Sequence, residues 1–115
     1  MPLLKLETTA KLSDGQRDQL LITLSKIVAD TIGKPEQYVM VTIGQTTMSM
    51  SGKPSEAAFV DIRSIGGLTA EVNRQLSQKI CALLVHSLRI PQNRIYLKFS
   101  DIEAGNWGWN ATTFG

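Results

Sequence analysis

The second residue of the chain is a proline, and its chemistry depends on what precedes it. Behind Met1 the ring nitrogen of Pro2 is a tertiary amide with no basicity. Aminopeptidases remove methionine ahead of a small residue such as proline, and that step makes the nitrogen a secondary amine. A free amine there can hold or release a proton, or attack a carbonyl. Pro2 also heads the run Pro2-Leu3-Leu4-Lys5-Leu6-Glu7, which reads as a strand with proline at its first position, where strands accept it. A chain end tied into a sheet is fixed in space, unlike most ends.

The other reactive side chains offer less. Cys81 is the only cysteine, so no intramolecular disulfide, Cys-x-x-Cys pair or multi-cysteine metal site can form, and near the helix stripe it reads as an inert small hydrophobe. His86, the only histidine, falls late in a helical pattern without a metal-ligand partner and reads as a surface or subunit contact. Gly105-Asn106-Trp107-Gly108-Trp109 has suggestive glycine spacing but follows no strand-to-helix turn of the phosphate-binding kind. It reads instead as a short C-terminal strand crossing to a neighbour's sheet edge. Met48 and Met50 lie in a Ser/Thr/Gly-rich loop and are expected to fill a gap beside the sheet.

The whole chain, 115 residues, is expected to form one domain spanning 1–115. Twelve basic against ten acidic side chains leave a charge of +2, too little to argue for nucleic acid or a membrane surface. No basic run or aromatic stacking series is present. No segment approaches a membrane-spanning apolar run, and the N-terminus lacks a signal pattern, so a cytoplasmic protein is expected.

These residues must be positioned by a repeated framework. Displacing the sequence by 56 positions superimposes its two halves, about 2–46 on 58–102, without a gap. Leu4 and Leu6 fall on Val60 and Ile62, Leu24 on Ile80, Val28 on Leu84, and Pro35 on Pro91. Each half reads strand, helix, strand. Ser13-Asp14-Gly15-Gln16 has the form of a capping box, the apolar positions 20, 21, 24, 27, 28 and 32 make a helical stripe, and Gly33 and Pro35 end it. Thr69 caps the second helix, whose stripe runs through 72, 76, 80, 83, 84 and 88 before Pro91. Strands joined by such a helix should be parallel. Two units side by side then give an α+β fold: duplicated β-α-β units in a four-stranded sheet with two helices on one face.

Alternation within the strands separates two faces. Leu4, Leu6, Val39, Val41, Ile43, Val60, Ile62, Ile95, Leu97 and Phe99 share one parity and should lie under the helices. The other parity carries Lys5, Glu7, Met40, Phe59, Asp61, Arg63, Tyr96 and Lys98, too apolar for free solvent and too charged for an ordinary core. With no third helix to cover that face, a homo-oligomer with its sheets facing one another is expected.

With these motifs laid out, the chain resembles the macrophage migration inhibitory factor and D-dopachrome tautomerase family of the tautomerase superfamily. The resemblance runs from Met1-Pro2, through Gly33-Lys34-Pro35-Glu36-Gln37-Tyr38, Ser64-Ile65-Gly66, Asn73-Arg74 and Arg94-Ile95-Tyr96, to Trp109-Asn110-Ala111-Thr112-Thr113-Phe114. It implies a homotrimer and a keto-enol tautomerase acting on aryl 2-oxo acids such as phenylpyruvate, without metal or organic cofactor. Pro2 would be the catalytic base and acid. Its pocket would lie between subunits, one chain supplying Pro2, Lys34 and Ile65 and its neighbour Tyr96.

Keto-enol exchange needs a base that is unprotonated near neutral pH. An apolar pocket with Ile65 and Phe114, and the Lys34 cation, would lower the proline amine toward that range. Lys34 would also hold the substrate carboxylate, against the simpler reading of an exposed lysine at a helix C-terminus. Tyr96 would donate a hydrogen bond or wall the ring, Ile65 would offer its backbone amide, and Tyr38 and Phe114 would line the aryl end or simply pack. Lys98 stands where the mammalian cytokine often has asparagine, and would tighten anionic substrates or sit solvated between sheets. Trp107 takes a pocket-edge position that is aliphatic there, which bears on which aryl groups fit. Ala57-Ala58-Phe59-Val60 replaces a Cys-x-x-Cys, removing thiol-disulfide chemistry at that site. Hydration, dehalogenation or decarboxylation of small oxo acids would need an arginine or acid in the pocket. With Arg74 on a helix and Arg63 facing the sheet channel, those activities are not expected. The alternative from another class is a trimeric signalling or interaction protein with a vestigial pocket.

Overall fold

A computed structural model describes residues 1–115. Its elements follow the expected order: β1 (Pro2–Thr8), α1 (Asp14–Ile32), β2 (Met40–Gln45), β3 (Ala58–Ser64), α2 (Ala70–Leu88) and β4 (Ile95–Asp101). A 3-10 turn precedes both β2 and β4, at Glu36–Tyr38 and Gln92–Arg94. The sheet order is β2-β1-β3-β4. β1 runs parallel to β2 and β3 parallel to β4, as crossover helices require, while β1 and β3 meet antiparallel at the centre.

The duplication is visible as near two-fold symmetry. Both helices have 19 residues, and each starts 56 positions from its counterpart. The central register pairs Pro2 with Ser64, Thr8 with Ala58, and Lys5 with Asp61. Lys5 and Asp61 are themselves copies of one another, so the pseudo-dyad passes between a cation and an anion.

Local chemistry sets the helix ends. The Ser13 hydroxyl accepts from the Gln16 amide and the Gln16 side chain accepts from the Ser13 amide, completing the capping box. Thr69 accepts from the Val72 amide at 3.1 Å. Gly33 ends α1 in the left-handed region at φ 80°; α2 ends there too, at Arg89 with φ 59°. The second helix therefore takes the same stop without a glycine.

The core forms where the alternating pattern places it. Leu4, Leu6, Val60 and Ile62 from the central strands meet Leu24, Val28, Leu76, Ile80 and Leu84 from the helices, all fully buried. Cys81 belongs to this cluster, and burial pushes its thiol up from the ordinary value. The opposite face of the sheet is bare: Tyr96 on one edge strand is 66% exposed and Met40 on the other edge strand is exposed too.

One segment departs from the expected picture. The C-terminal residues form a hairpin, β5 (Gly108–Trp109) pairing antiparallel with β6 (Thr112–Thr113), where one short strand was expected. Asn110 and Ala111 both take positive φ, 52° and 64°, as a primed two-residue turn demands. Alanine there hides the turn from a search for Asn-Gly. The loop between β2 and β3 is gathered by Arg94, which donates to the backbone carbonyls of Met50, Lys53, Ser55 and Glu56.

Candidate functional site

A cavity of about 540 Å³ opens at the start of β1. Pro2, fully buried, sits in its wall with Met1 and Leu3. The 3-10 turn after α1 brings Tyr38, β3 brings Arg63, and the C-terminal segment brings Trp107 and Trp109. Tyr38 meets Trp109 edge-on with ring centroids 5.9 Å apart, and Phe114 stacks on Trp109 at 5.8 Å. Phe114 thus supports the wall without lining it.

Lys34 follows the C-terminal end of α1 and lies near enough to the chain's leading end for its charge to act there. Burial first, and the Lys34 charge second, hold the Met1 amine below its ordinary value of 8.0. The lysine stem runs beside the turn after β3. A Cβ on Gly67 would lie 2.8 Å from Ile32 Cγ2 and 3.6 Å from Lys34 Cε. Ile65, half-buried in that turn, follows Ser64, the register partner of Pro2. The turn is pinned on two sides: Asp101 accepts from the Gly66 amide at 2.9 Å, and the Ser64 hydroxyl donates to the Gly66 carbonyl at 2.8 Å.

Gly66 and Gly67 both have positive φ, 73° and 81°, but only Gly67 is crowded. Gly66→Ala should cost about 1 kcal/mol, the strain of a side chain in the left-handed region. Gly67→Ala adds the clash with Ile32 and should cost about 2–3 kcal/mol. Thermal unfolding of the two variants checks the order, and equal losses would show that Ile32 gives way freely.

Tyr96 and Lys98 lie elsewhere. Tyr96 shares a row with Phe59 and Glu7, and Lys98 a row with Asp61 and Lys5. Strands rise about 3.3 Å per residue, so the Tyr96 row is roughly 17 Å along the sheet from Pro2. Tyr96 cannot reach the Pro2 of its own chain. Of the sequence-derived candidates, then, Pro2, Tyr38 and Trp107 line one cavity, Lys34, Ile65 and Phe114 border it, and Tyr96 and Lys98 lie apart on the open face.

Arg63 is the correction. It lies on the bare sheet face, as its parity requires, yet it also lines the Pro2 cavity and is the one charged side chain that does so. Its Nη2 donates to Asp61 Oδ2 at 2.9 Å, and this bond, then the carboxylate charge, raises the guanidinium above its ordinary value. The pocket thus contains the arginine that sequence alone placed in the channel. Trp109 was also missed as a wall residue, because its place depends on the hairpin.

Sheet, helices and cavity together define a duplicated β-α-β protein of the tautomerase superfamily architecture. The family profile described as macrophage migration inhibitory factor (MIF) matches residues 1–115. The chain is 38% identical over 115 residues to a macrophage migration inhibitory factor homolog of Trichinella spiralis, covering 99% of this chain and 100% of the relative. Its fold is similar to a macrophage migration inhibitory factor homologue from Prochlorococcus marinus, with TM-score 0.93, 34% identity, and coverage of 98% and 99% of the two chains. It is equally similar to the Toxoplasma gondii macrophage migration inhibitory factor, with TM-score 0.94, 34% identity, and coverage of 97% and 99%. The chain belongs to the macrophage migration inhibitory factor family.

Proposed function

We propose that this protein is a cofactor-independent keto-enol tautomerase of aryl 2-oxo acids such as phenylpyruvate, with Pro2 as its base and acid once Met1 is removed. The observation that carries the reading is the position of Pro2: fully buried at the head of β1, in an aromatic-walled cavity, beside Lys34. The two causes that lower the Met1 amine act on a Pro2 amine as well, and Pro2 is the more deeply buried of the two. An amine so placed gives up its proton more readily than a free prolyl amine, and in its neutral form it can take a proton from the carbon beside the 2-oxo group. It returns that proton to carbon or oxygen, so no net charge is left behind. Lys34 holds the substrate carboxylate and favours negative charge building on the 2-oxo oxygen. Tyr38, Trp107 and, behind Trp109, Phe114 receive the ring, while the Ile65 amide lies at the base end.

The bare sheet face supports assembly through that face, with a homotrimer as the form the family resemblance implies. Assembly also supplies the one route by which a Tyr96, with Lys98 on the same strand, reaches a Pro2 cavity: from a neighbouring chain.

The pH profile tests the reading. Only the neutral amine acts as base, so kcat/KM for phenylpyruvate ketonisation rises as pH passes the amine pKa. A lowered pKa puts that rise at lower pH than a free prolyl amine would give. Lys34→Ala removes one lowering influence, so its rise moves to higher pH. The variant should also lose about tenfold or more in kcat/KM on the plateau, as a charge-assisted contact to the carboxylate is lost. A rise that stays in place or moves to lower pH in the variant contradicts the assignment of Lys34.

A further inference from the structure

The reading above gives Lys34 the substrate carboxylate, which leaves Arg63 without a task in a wall otherwise built of aromatic, apolar and neutral polar groups. The Arg63 side chain is still 47% exposed, so most of its donors remain free for a ligand. Its setting is that of a fixed group: Asp61, 6% exposed, accepts one hydrogen bond from Arg63 through Oδ2, while its Oδ1 has no partner. Guanidinium has five N–H donors in a planar fork, and one of them is engaged by Asp61. Nor does Asp61 cancel the local charge. Lys5 and Lys98 flank it in the register, and with Glu7 paired to Lys5 at 3.6 Å the five side chains retain one positive charge.

We propose that Arg63, held by Asp61, is a second anion-binding group of the Pro2 cavity, and that the cavity selects aryl 2-oxo acids whose ring carries a further negative group. The proposal rests on the tautomerase reading for the 2-oxo acid, but the anion preference has its own readout. Arg63 is the contact residue, its fork suited to a carboxylate, and Asp61 is the positioning residue that stops the guanidinium swinging into solvent.

The experiment compares two unreactive probes, phenylacetate and para-carboxyphenylacetate, titrated by NMR into protein whose chain begins at Pro2. The dianion should bind about tenfold more tightly than the monoanion. Arg63→Gln should bring that ratio close to one, and Arg63→Lys should keep part of it, since charge survives without the fork. Asp61→Asn should weaken the ratio through lost positioning. Equal affinity for the two probes in the unmodified sequence overturns the proposal without any variant, and so does a ratio that survives Arg63→Gln. If the ratio holds but phenylpyruvate is not ketonised, the tautomerase reading fails and the anion preference stands. If ketonisation proceeds without the ratio, the reverse is true.

Discussion

Protein that keeps Met1 should ketonise phenylpyruvate at least about a hundredfold, and up to about ten-thousandfold, more slowly than protein whose chain begins at Pro2, the range spanned by a positioned base. Acylating the Pro2 nitrogen removes its lone pair from use but leaves the ring where it is, fully buried at the first position of β1. Acylated Pro2 has no N–H to give the sheet, so no ladder bond depends on that nitrogen. Intact mass separates the two preparations, and loss of enol absorbance gives the rates. Pro2→Gly, after Met1 removal, keeps a primary amine at the same place and should retain part of the activity. Equal rates with and without Met1 would remove Pro2 from the chemistry.

The second large effect concerns stability. Leu24 and Ile80 are copies of one another, one on each helix, and both are fully buried in the same core. Truncating either to alanine removes three or so buried carbons and leaves a cavity, costing about 2–5 kcal/mol. For a chain this short that lowers the thermal midpoint by on the order of 10–20 °C. If the two units share the core evenly, the two losses should match to within about 1 kcal/mol. Ile22→Ala, at a position 53% exposed, is the control and should change stability by no more than about 0.5 kcal/mol. A twofold disparity between Leu24→Ala and Ile80→Ala would mean that one unit carries the fold.

The framework was legible because every level of the sequence repeats it. Displacement by 56 positions located both helices, both caps and the parity of all four strands, and the register keeps that parity in every row. What sequence could not supply was proximity between elements that do not repeat. The C-terminal hairpin has no counterpart in the first half, and its turn uses Ala111 at positive φ, so neither periodicity nor turn chemistry announced it. Trp109 therefore entered the cavity wall unforeseen. Arg63 shows the same limit: alternation gave its face correctly, but only the end-to-end pairing of β1 with β3 sets it beside the chain's start. The separation of Tyr96 from Pro2 also emerged from the register, as a distance along the sheet.

The near-symmetry of the two units has a chemical consequence. Ala58 occupies in the second unit the place that Pro2 holds in the first, and it lies at the opposite end of the central strand pair. It is joined through an ordinary peptide to Ala57, so no nucleophile or base arises there. Joining two similar halves in one polypeptide thus leaves one chain-end amine where the repeat offers two equivalent strand starts. A circular permutant cut before residue 58, with proline installed there and the old ends linked, would carry its reactive amine to the far side of the sheet.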